Sequence, residues 1–216
     1  MKKFLGFTLA EVLITITVVG VISAITLPIL IKNYQQHVII EQLKYAYSLF
    51  GQVLERSKID NGETANWDRA NAKTLTEKYF NPYIKGAQQI KRYNVLSLHK
   101  KGNFIYWSEN NNYPIYSMPK GISYAIRKGP ANSAIYILVD INGPKSPNIA
   151  GKDVFVFVIN DNNSTLHFSG GDRNYVLTNQ YSACSKKNLG NADSAGLFCG
   201  RLIQLDGWKF SSDYPW

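Results

Sequence analysis

Hydrophobic and polar positions follow three regimes along the 216 residues. From Phe7 to Ile31, about 25 residues carry a single charge, Glu11. A second stretch places Ile39, Leu43, Ala46, Phe50 and Val53 at steps of four and three, with Glu41, Gln42, Lys44, Gln52 and Glu55 on the other faces. This spacing predicts one long helix over about Phe7 to Lys58, apolar all round in its first half and striped in its second. Asp60-Asn61-Gly62 supplies the stop, because Gly or Asn takes the left-handed conformation that closes helices. Beyond Gly62 the pattern turns to short apolar runs. Asp68 to Phe80 has helical character, and Asn81-Pro82 ends it. Strands are predicted at Tyr93 to Leu98, Phe104 to Ser108, Ser123 to Arg127, Ala134 to Asp140, Val154 to Asn160 and Thr165 to Phe168. The expected class is α+β, with an antiparallel sheet packed on the striped half of the helix.

The first regime is long enough to matter for membranes. At ~1.5 Å per residue it reaches ~37 Å as a helix, against ~30 Å of hydrocarbon. Lys2 and Lys3 before it predict a cytoplasmic N-terminus, hence a single-pass membrane protein with an exported remainder. A secretory signal peptide cut near Val21-Ile22-Ser23 is the competing reading. Two features oppose it: the apolar pattern continues through Ile31 straight into the amphipathic stretch, and Glu11 costs on the order of 2 to 3 kcal/mol in lipid unless it finds a partner.

Gly6-Phe7-Thr8-Leu9-Ala10-Glu11-Val12-Leu13-Ile14 resembles the start of the type IV pilins and type II secretion pseudopilins. The resemblance implies cleavage by a prepilin peptidase between Gly6 and Phe7, N-methylation of Phe7, and a register role for Glu11. It places a helix-weakening Gly20 and Pro28 where family members have them. It divides the chain into a leader (1–6), a transmembrane and assembly half-helix (7–31), an amphipathic half-helix (32–58) and a globular head (59–216). The implied partners are identical or related pilin subunits, the prepilin peptidase, the inner-membrane assembly machinery and, before assembly, lipid. The implied destination is a periplasmic or cell-surface filament. A physical reason accompanies the motif: the Glu11 carboxylate of one subunit can neutralise the Phe7 amine of a neighbour in a water-poor bundle, which sets register because either charge alone there is costly. Pro28 lacks a backbone donor, so unwinding or a kink between Gly20 and Pro28 is expected in a fibre. A signal-anchor protein whose Glu11 pairs elsewhere is the bland alternative.

Composition narrows the rest. Hydrophobic residues make up 45% of the chain, sufficient for a folded core. Cys184 and Cys199 lie on the side expected to be exported, where an oxidising compartment joins neighbours, and many pilins have a C-terminal disulfide-bounded loop. A disulfide is expected, with buried free thiols as the alternative. Asp140 to Asp153 is dense in turn formers and oxygen-bearing side chains. It reads first as a hairpin connection; as a second reading, Asp140, Asn142 and Asp153 hold calcium, as a loop does in some pseudopilins. No other cofactor is expected. Ser169 to Asp172 reads as a turn, and the aromatic tail from Leu205 to Trp216 as packing on the sheet.

No nucleophile elbow, phosphate loop or zinc-protease helix is present, and His37, His99 and His167 are scattered, so the chain is not expected to be an enzyme. The net charge is +9. Lys91-Arg92, Lys100-Lys101, Arg127-Lys128 and Lys186-Lys187, interleaved with tyrosines, leave a nucleic-acid-binding or adhesive head as an alternative to an ordinary solvated basic surface.

Overall fold

The computed structural model describes residues 6, 8–98, 102, 104, 107, 113–129, 134–186 and 193–215. The chain divides into two units, Met1–Val38 and Ile39–Trp216. Helix α1 covers Leu9–Asn61. Its Leu9–Val38 part belongs to the first unit and is helical through both Gly20 and Pro28. Every residue from 8 to 35 is exposed.

The second unit is built on a six-stranded antiparallel sheet in strict chain order: β1 (Gln88–Ile90), β2 (Ile115–Met118), β3 (Ile122–Lys128), β4 (Ala134–Asp140), β5 (Val154–Asn160) and β6 (Thr165–Phe168). Helices α2 (Ala72–Tyr79), α3 (Arg173–Thr178) and α4 (Cys199–Leu205) complete it. On α1, Ile40, Leu43, Ala46, Phe50, Val53, Leu54 and Ser57 are buried, which is the predicted stripe shifted at its start from Ile39 to Ile40. Side chains alternate along strands, so Tyr124, Val139 and Phe155, mutual register partners, share one face with Ile126, Ile137 and Phe157. Phe50 meets Tyr124 and Phe157 edge-on at 5.4 and 6.1 Å on this face. Tyr47 stacks on Phe168, and its hydroxyl donates to Leu166 O at 2.8 Å, taking up a carbonyl of the edge strand β6.

Several boundaries differ from expectation for identifiable reasons. The helix runs three residues past Lys58 and stops where Gly62 adopts φ 74° and donates to Lys58 O. The segment Tyr93 to Leu98 is not a strand: the backbone of Leu96 bonds Asn148 and Ala150, and Leu98 N–H bonds Ala195 O, so its hydrogen bonds go to loops. Of Phe104 to Ser108, only Phe104 and Trp107 are described, both buried and neither in a strand. Helix α2 begins later than Asp68 because the Asp68 carboxylate accepts from Ala70 N–H and forms a turn, while Asn71 caps the helix by accepting from Thr74 N–H. Asp172 ends the expected turn but also caps α3 through Tyr175 N–H.

The tail packs as expected. Trp208 lies edge-on to Phe168 and Tyr47, and buried Tyr214 donates its hydroxyl to Gly151 O. Cys184 and Cys199 form a disulfide with Cα atoms 4.9 Å apart. It packs on the turn at Gly151, where an added Cβ would sit 2.5 Å from Cys199 Sγ.

Candidate processing and assembly site

Where the helix begins is set by two side chains. Thr8 is non-helical, and its carbonyl accepts the first helical bond, from Val12 N–H at 3.2 Å. Its hydroxyl oxygen accepts from Glu11 N–H at 3.3 Å, while Glu11 Oε2 accepts from Thr8 N–H at 2.8 Å and from the Thr8 hydroxyl at 2.7 Å. This is a reciprocal capping box, which satisfies the orphan donors of a helix N-terminus. Gly6 precedes it, non-helical and exposed, with open space around its Cα. Phe7, the residue expected to be methylated and to pair through its amine with Glu11, lies outside the described residues. The expected partner of Glu11 is a neighbour's amine; in the single chain its partner is Thr8. The spacing Thr-x-x-Glu before an apolar run was the available signal.

The rest of the first unit is consistent with apolar surroundings. Thr15, Thr17 and Thr26 turn their hydroxyls back onto Val12 O, Leu13 O and Ile22 O at 2.8, 2.7 and 2.9 Å. Hydroxyls bonded this way present methyl groups outward and need no water. Among the described residues, α1 alone is long and apolar enough to cross a membrane. Gly20 leaves an open notch, and Pro28 removes the donor that Ala24 O would otherwise receive.

The loop between β4 and β5 brings Asp140, Asn142 and Asp153 together. Asp140 is fully buried, and its carboxylate accepts from Tyr93 OH at 2.8 Å and Asn142 N–H at 3.1 Å. Asp153 accepts from Ile149 N–H at 2.5 Å, Asn148 N–H at 2.8 Å and the Asn142 amide at 3.4 Å. Burial and the nearby Asp153 charge push Asp140 up to about 8, and burial also raises Asp153. Tyr93 is raised by burial and by the Asp140 charge. These donors hold the two carboxylates in a loop clasp. No group of three or more His, Cys, Asp or Glu poised for a metal occurs among the described residues.

The remaining candidates are dispersed. His37 is exposed on α1, His167 bonds Asn160 on β5, and His99 lies outside the described residues. Arg92 donates to Tyr113 O, Arg127 lies over the Tyr136 ring and Lys186 donates to Ser212 O. Lys100, Lys101 and Lys187 lie outside the described residues.

Two family models match the chain. One, described as the prokaryotic N-terminal methylation motif, covers residues 1–27, and the other, described as a family of unknown function (DUF6613), covers residues 29–216. No curated protein and no solved structure matches it.

Proposed function

Because the chain belongs to the family of unknown function DUF6613 and opens with the N-terminal methylation motif of type IV pilin-like precursors processed by prepilin peptidase, we propose that it is a structural filament subunit. In this reading it is stored in the membrane and then polymerised through its N-terminal helix into a type IV pilus or a type II secretion pseudopilus. The observation that carries it is Leu9 to Ile31, exposed on every side with one acidic residue, Glu11. Such a helix is stable where lipid or like helices surround it, and it serves in both.

Glu11 has two partners in this scheme. In the single chain the Thr8 cap holds the carboxylate; in the fibre the methylated Phe7 amine of an adjoining subunit replaces it and fixes register. The weakened stretch between Gly20 and Pro28 allows the helix to adjust as subunits pack.

Mass spectrometry of the mature N-terminus from cells tests the reading. The expected species begins at N-methylated Phe7 and is recovered with sheared filaments. A chain beginning near Ala24 and free in the medium is the result that overturns it.

A further inference from the structure

Among the described residues, the most exposed large apolar side chain on the head is Ile59, at 82%. It sits in the last turn of α1, followed by Asp60 and, past the Gly62 turn, Glu63, both exposed. Neither carboxylate is in an ion pair among the described residues. Arg56 lies a turn earlier, and Lys58 is paired with Glu55 at 2.9 Å. The helix end is therefore an exposed apolar knob followed by two acidic residues, of which Asp60 accepts from the Tyr83 hydroxyl at 2.8 Å.

A complementary surface occurs elsewhere on the same unit. A groove of about 460 Å³, walled mostly by carbon, lies among Ile90, Lys91, Arg92, Tyr93, Ser123 and Pro144. Lys91 is exposed, while half-buried Arg92 adds a second positive charge that is held by Tyr113 O at 2.6 Å and lies over the Tyr113 ring. The groove is on the sheet face opposite α1, because Ser123 alternates with Tyr124, whose ring meets Phe50. Knob and groove thus occupy different surfaces of one head and match in both apolarity and charge sign.

We infer that in the filament the Ile59 knob of one head seats in the Ile90–Pro144 groove of a second copy, with Asp60 and Glu63 facing Lys91 and Arg92. The inference rests on the filament reading above and adds where the heads touch. A contact between two different surfaces is heterologous, so repeating it extends an open helical array instead of closing a dimer. Ile59 supplies the buried apolar area, and the charged rim selects orientation.

The test uses the full chain in cells that assemble it, reading the sheared filament fraction alongside Phe7 methylation and head melting temperature. Ile59→Asp is expected to lower filament yield about tenfold with methylation and melting unchanged, since an isoleucine contact is lost and a charge is placed in it. Lys91→Glu and Glu63→Lys are each expected to lower yield about two- to threefold, and combining them to restore it. Ile59→Cys on one chain and Pro144→Cys on another should give a cross-linked dimer. Wild-type yield from Ile59→Asp, or no recovery in the charge-swapped pair, overturns the contact while leaving the filament reading intact. A wild-type chain lacking both methylated Phe7 and filaments overturns that reading and this contact with it.

Discussion

The two parts of α1 share a backbone conformation and differ in what surrounds them. Residues 8 to 35 are exposed without exception, whereas Ile40, Leu43, Ala46, Phe50, Val53 and Leu54 are buried against the chain's own sheet. The second part resolves its apolar surface internally because that surface is a stripe. The first part has no polar face to leave in water, so nothing in one chain can cover it. Its sequence is therefore fitted to an environment outside the subunit, and substitutions in the two parts should register in different assays.

The sharpest way to break this comparison is a pair of truncations. Phe50→Ala is expected to destabilise the head by roughly 3 to 5 kcal/mol, since Phe50 is fully buried between Tyr124 and Phe157. Ile16→Ala, at a site 59% exposed, should leave head melting unchanged and alter only membrane or filament behaviour. Equal melting losses from the two would erase the distinction.

Next in size is the disulfide. Replacing Cys184 and Cys199 by Ala is expected to cost the head about 3 kcal/mol by the chain-entropy argument, measured by denaturant unfolding. Residues of the first unit should be indifferent to it.

A third effect is confined to the β4–β5 loop and depends on pH. Asp140 lies near 8 in the folded head against 3.8 ordinarily, so between those values the folded state keeps a proton that the unfolded state releases. Stability therefore falls as pH rises through this window and levels off above about 8. From pH 6 to pH 8 the loss attributable to Asp140 is roughly 2 kcal/mol, and Asp140→Asn should flatten that part of the slope. The smallest expected effect concerns calcium: with the Asp140 and Asp153 oxygens taken by N–H and O–H donors, adding or chelating calcium should leave melting unchanged. A rise of several degrees with calcium would favour the metal reading of the loop.

How much of this was legible in the sequence depends on whether a segment's partners are local. The helix and its Gly62 stop follow from periodicity and a left-handed glycine. Strands β4, β5 and β6 match their expected limits, and β3 is one residue longer at each end. Strands β1 and β2 were not expected: Gln88-Gln89-Ile90 has no alternation to read, Ile115-Tyr116-Ser117-Met118 is a run of only four, and both are defined by the register they find on each other and on β3. Tyr93 to Leu98 differs in the opposite direction, its β-rich side chains serving a strap whose backbone bonds go partly to nearby Gly102 and Phe104 and partly to the distant Asn148, Ala150 and Ala195. At the candidate site, Glu11 and Gly6 stood out from charge and resemblance. Thr8 did not, because its role is visible only when its hydroxyl and backbone are considered together.

The sheet's strand order bears on how a head of this kind comes into being. Since each strand pairs with the one made just before it, the ladders from β2 to β6 each close a short stretch of chain and the loop entropy overcome at each step stays small, while β1 joins β2 across the longer connection of residues 91–114. A nascent head can zip up hairpin by hairpin from β2 onward, and only the short β1 has to wait for a partner encoded further downstream.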